Sequence, residues 1–150
     1  MVEYFKSVTI YTFSLFYLVI GIKHFTDVSF FVSIMPPYIP FHEFFIYLSG
    51  FFEILFGFLL LFKKTRKFAG IGLIYLLVFV FPANVHLYLS EVAQKALSIT
   101  QNDALIRLPF QLPLMIIAFW HAEENSTKFF NIFCSFIFIP TILYFFSLAL

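Results

Sequence analysis

FFIYLSGFFEILFGFLLLFKKTRKFAGIGLIYLLVFVF, residues 44–81, decides the class of this protein. The run Phe44 to Phe62 is long enough to cross a bilayer as a helix, at about 1.5 Å per residue. Four cations then stand in five residues, Lys63, Lys64, Arg66 and Lys67. A second apolar run, Phe68 to Leu89, follows at once. So short a link makes the two spans an antiparallel hairpin.

The rest of the chain carries the same signature. Of 150 residues 62% are hydrophobic and 11% charged, more apolar surface than a soluble domain of this size can hide. The fold class is all-α integral membrane. Five spans are expected: Tyr4–Ile22, Phe44–Phe62, Phe68–Leu89, Ile106–Trp120 and Phe129–Leu150. The first resembles a signal peptide around Lys6, but no small-residue cleavage pattern follows it, so it reads as a retained helix. A net charge of +1 with no basic patch argues against a nucleic-acid partner. Cys134 is the only cysteine, which excludes an intramolecular disulfide and any CxxC chemistry.

Lys/Arg asymmetry sets the expected orientation. With the Lys63–Lys67 link in the cytoplasm, Lys6 and Lys128 lie inside, and Lys23, Lys95 and Arg107 lie outside. The N-terminus is then cytoplasmic and the fifth span ends outside. On the outer side, Ser90–Leu105 is polar and reads as a solvated loop or short surface helix. Val28–Met35 is apolar but too short to span, so it reads as an interfacial or re-entrant piece. It runs into Met35-Pro-Pro-Tyr-Ile-Pro40. That knot is either a stiff lid formed by Pro36, Pro37, Tyr38 and Pro40, or a rigid turn that re-aims the chain into the second span.

Ionisable groups at membrane depth suggest function by default. Glu53 lies about 14 Å into the second span. Ser49, Glu53 and Gly57 share a helix face, with Gly50 beside them, and small residues point that face into the bundle. In the third span Pro82 frees the carbonyl of Val78, and Asn84 is placed inward, with His86 about 200° away. In the fourth, Arg107 and Gln111 share a face, and Gln111 lies at the depth of Asn84. These positions predict a pocket open to the outer side. Glu53 forms its floor, Asn84 and Gln111 its walls, with Ser49 beside Glu53, and Arg107, Lys23 and His24 stand at its mouth. The alternative for each polar group is an interhelical contact. The histidines lack metal-ligand spacing, and no catalytic constellation is visible.

Gly21-Ile-Lys-His24-Phe25, Met35-Pro-Pro-Tyr-Ile-Pro40 and Leu48-Ser-Gly50-Phe-Phe-Glu53-Ile-Leu-Phe-Gly57 come in this order. Arg66, Gly70, Gly72, Phe81-Pro-Ala-Asn84, Arg107-Leu-Pro-Phe-Gln111 and Ala118-Phe-Trp120 follow. In order and spacing they resemble the DoxX-like family of small membrane proteins. The resemblance implies a bacterial four-helix membrane bundle over residues 1–124. It leaves residues 125–150 as an additional transmembrane helix packed outside that bundle. It also brings two expectations. One is an accessory membrane subunit of a quinone-linked oxidoreductase, its redox centres supplied by a partner. The other is a scaffold or chaperone for membrane proteins. The residues themselves favour a non-catalytic binding or accessory protein, and the resemblance implies the bacterial inner membrane. Its ligand would be lipophilic with a polar head: quinone, lipid or isoprenoid. A homo-oligomer is the remaining partner to weigh.

Overall fold

The computed structural model describes residues 2–149; Met1 and Leu150, the outermost residues of the two terminal segments, lie outside it. Seven helices follow in order: α1 Val2–Thr26, α2 Val28–Ile34, α3 His42–Leu60, α4 Lys63–Leu89, α5 Glu91–Ala96, α6 Gln101–Ala122 and α7 Lys128–Ala149. The described residues contain no strand. Helices α1, α3, α4, α6 and α7 are each long and apolar enough to cross a membrane. The chain is built as an integral membrane protein, because only internally hydrogen-bonded backbone is stable in hydrocarbon.

The long helices form a closed ring. Helix α1 packs on α3, α3 on α4, α4 on α6, α6 on α7, and α7 back on α1. Their shared core includes Phe13, Phe16 and Tyr17 of α1, Phe56 and Leu60 of α3, Leu73 of α4, and Ile117 of α6. Phe138 and Ile142 of α7 belong to the same core. This corrects the expectation that the fifth span packs outside a four-helix bundle. Its apolar face has a groove to fill between α1 and α6, and Phe16 meets Phe145 there at a ring distance of 6.1 Å.

Two helix ends shift from the sequence reading for local reasons. Helix α6 starts at Gln101 rather than Ile106 because Thr100 and Asp103 form a capping box, which satisfies exposed N–H groups at the first turn. Helix α4 starts within the basic link. There Thr65 Oγ1 donates to Leu59 O (2.7 Å) and Arg66 Nε to Leu60 O (2.9 Å), capping the last carbonyls of α3. At the opposite end α2 and α5 lie between the long helices. Ile34 packs there on a small core of Leu87, Ala93 and Ala104.

Candidate functional site

The face of α3 that turns inward is Ile46, Ser49, Gly50, Glu53, Phe56, Gly57 and Leu60. Its glycines bring the α1 backbone close. A Cβ on Gly50 would stand 2.5 Å from His24 Cβ and 3.0 Å from Gly21 O. Further along, Ser14 Oγ donates to Gly57 O at 2.5 Å, and a Cβ on Gly57 would meet Tyr17 Cβ at 3.2 Å. Glu53 lies between Gly50 and Gly57, so His24 and Tyr17 flank it from α1, one towards each end of the membrane.

His24 Nδ1 stands 3.1 Å from Glu53 Oε2 and 2.9 Å from Ile20 O. A carbonyl only accepts, so Nδ1 carries a proton. That hydrogen is directed at Ile20 O. Glu53 Oε2 therefore sits at ion-pair distance from the ring but takes no aligned hydrogen bond. Glu53 is 8% exposed and His24 6%. The Tyr17 hydroxyl is buried and also without a partner, within electrostatic reach of the Glu53 carboxylate. Phe31 of α2 covers the pair from above, its ring stacked on that of His24 at 3.7 Å and 22°.

Asn84 and Gln111 meet elsewhere in the ring, between α4 and α6. Asn84 Nδ2 donates to Gln111 Oε1 at 3.0 Å, and Gln111 Nε2 donates to Leu77 O. The proline in α4 was expected to release the carbonyl of Val78; the acceptor that Gln111 takes is its neighbour, Leu77. Gln111 is buried and Asn84 half-buried. The predicted pocket residues are thus divided between two contacts, Glu53 with His24 on α1 and Gln111 with Asn84 on α4. Ser49 is buried, but its hydroxyl bonds back to Ile46 O of its own helix (2.9 Å). Lys23 is half-buried at the end of α1. Arg107 is half-buried on α6, and its Nε is buried without a partner.

The proline knot forms a hydrogen-bonded turn. Pro36 O accepts from Ile39 N (3.0 Å) and from His42 Nε2 (3.1 Å), with Pro37 at the second turn position, where its fixed φ is favoured. Only Pro36 is buried; Pro37, Tyr38 and Pro40 are exposed. The chain enters α3 through Phe41 at φ 56°. The aromatic cover over Glu53 and His24 comes from α2. A cleft of about 630 Å³ lies beside the knot and one of about 400 Å³ beside Ile74 and Leu112; neither is lined by Glu53, Asn84 or Gln111. Among the described residues no three His, Cys, Asp or Glu side chains gather as metal ligands.

Sequence reasoning missed Tyr17 and Phe31. The spacing of Phe13, Phe16, Tyr17 and Ile20 could have shown which face of α1 turns inward. Nothing in the spacing of Phe31 marks it as the ring that reaches His24.

A family described as a domain of unknown function, DUF8561, matches residues 13–122. The chain belongs to this family. The DUF8561 region runs from within α1 to the last residue of α6, so it contains His24, Phe31, Glu53, Asn84 and Gln111, while α7 lies beyond it. No curated protein and no solved structure matches the chain.

Proposed function

We propose that this DUF8561 member is a non-catalytic binding protein of the bacterial inner membrane. Its Glu53–His24–Tyr17 set takes the polar head of a lipophilic molecule: a quinone, a lipid or an isoprenoid. One observation carries the reading. The Tyr17 hydroxyl has no hydrogen-bond partner, and Glu53 Oε2, 3.1 Å from His24 Nδ1, takes no aligned hydrogen bond; both are buried in the α1–α3 seam. Buried polar groups without partners cost free energy. A head group that carries a hydroxyl, as a quinol or an isoprenoid alcohol does, would satisfy both, accepting from Tyr17 and donating to Glu53, whereas a quinone carbonyl would accept from Tyr17 alone.

Access runs under α2. This seven-residue helix has no buried residue, yet its Phe31 closes over His24. An element held by so few contacts opens at low cost. In this reading the DoxX-like resemblance frames α1, α3, α4 and α6. The Lys63–Lys67 end faces the cytoplasm, and the α2 end receives the ligand from outside.

Gentle purification followed by native mass spectrometry, lipid extraction and an absorption spectrum tests the proposal. A co-purifying quinone, lipid or isoprenoid that is lost in Glu53→Gln and weakened in Tyr17→Phe is the expected result. A ligand-free wild-type protein, or equal retention by both variants, would overturn it.

A further inference from the structure

Helices α6 and α7 run antiparallel. Trp120 Nε1 donates to Asn131 Oδ1 at one end of their contact, and Phe110 meets Tyr144 at a ring distance of 4.3 Å towards the other. Arg107 lies one turn before Phe110, so the Tyr144 ring lands on the Arg107 face of α6. Arg107 Nε and the Tyr144 hydroxyl are both buried, and neither has a hydrogen-bond partner. The two groups lie within electrostatic reach of each other.

Arginine is always charged and can only donate. Among the described residues no carboxylate stands at ion-pair distance from it. The carboxylate one turn back, Asp103, lies within electrostatic reach of Tyr144 but is engaged in the helix cap. Its Oδ2 accepts from Thr100 N (2.8 Å) and Thr100 Oγ1 (2.6 Å) in the cap of α6. A buried Nε–H without an acceptor is costly, and a planar guanidinium with a hydroxyl on the facing helix offers donors to the oxygens of a phosphate. Arg107 is six residues past the start of α6, about 9 Å along its axis, and an arginine near the end of a spanning helix can extend its head towards the interface.

We infer that Arg107 and Tyr144, facing each other across α6 and α7, form a second site that binds a phosphate group. This site is separate from the Glu53 seam and does not rest on its function. The phosphate comes from an anionic phospholipid or from free phosphate, and the experiment separates the two.

The full chain in detergent is titrated with phosphatidylglycerol or phosphatidylcholine, with and without millimolar inorganic phosphate, and read by native mass spectrometry. Because Lys63–Lys67 also attracts anionic lipid, each variant is compared with wild type. Arg107→Gln is expected to lower phosphatidylglycerol affinity about tenfold and Tyr144→Phe about threefold. Arg107→Lys should recover part of the loss, as charge without the fork. Inorganic phosphate that binds and displaces the lipid supports a free-phosphate site; lipid binding unaffected by it supports a lipid site. Unchanged phosphatidylglycerol binding in Arg107→Gln and Tyr144→Phe overturns the inference. So does a loss that falls equally on phosphatidylcholine. Should Arg107→Gln fail to fold, Tyr144→Phe decides alone.

Discussion

Gly50 of α3 faces the Cβ of His24 on α1, and a methyl group placed there would sit 2.5 Å away. The obstacle is a Cβ and the nearby Gly21 carbonyl, neither of which can swing aside. Gly50→Ala is therefore expected to wedge the α1–α3 seam apart and destabilise the protein by about 1–3 kcal/mol. Gly57→Ala, whose nearest neighbours stand at 3.2 Å, should cost less. Thermal unfolding in detergent, followed by circular dichroism, ranks the two; an equal or reversed order would contradict the seam geometry.

Glu53 and His24 form a buried pair, so their mutational effects should not add. Removing one partner strands the other, and Glu53→Ala is expected to cost about 3 kcal/mol. The double variant Glu53→Ala/His24→Phe keeps an aromatic ring against Phe31 and strands nothing. It should cost less than the sum of the two single changes by about 1–2 kcal/mol. A double-mutant cycle on the same unfolding assay measures this; strict additivity would mean the pair is not coupled.

Gln111 satisfies two partners at once, Asn84 Nδ2 and Leu77 O. Interhelical hydrogen bonds in membranes average about 0.6 kcal/mol and reach about 1.7. Asn84→Leu, which removes one bond, should cost about 0.5–1 kcal/mol, near the membrane average. Gln111→Leu removes both bonds and leaves Asn84 Nδ2 bare, so about 1–2 kcal/mol is expected. Equal losses would show that the Leu77 carbonyl finds another donor.

The proposed orientation predicts labelling from opposite sides. In a Cys134→Ala background, Thr65→Cys should react with an impermeant maleimide only after cells are opened, and Lys95→Cys in intact spheroplasts. The reverse pattern would place the basic link outside.

Much of the fold was legible because hydrocarbon demands long apolar runs, and all five appear as helices. The inward face of α3 was legible too, because Ser49, Glu53 and Gly57 recur at helical spacing beside Gly50. Which neighbour each polar group meets was not. These helices are apolar nearly all round, so periodicity carries little about lateral order. Glu53 and Gln111 were therefore read into one pocket, although one seam joins α1 to α3 and another joins α4 to α6. The place of α7 was illegible for the same reason. Its lipid-facing and core-facing sides are both built of Phe and Ile, and only packing distinguishes Phe138, 5% exposed, from Phe136, 76% exposed.

The contact of α7 with α1 also bears on how the protein is made. A ribosome delivers α1 first and α7 last, yet Phe16 of α1 and Phe145 of α7 complete each other's surroundings. Thr9 and Phe13 already meet His121 of α6, so it is the Phe16 side of α1 that waits for α7. The last helix made therefore seats in a groove that α1 and α6 have already formed between them.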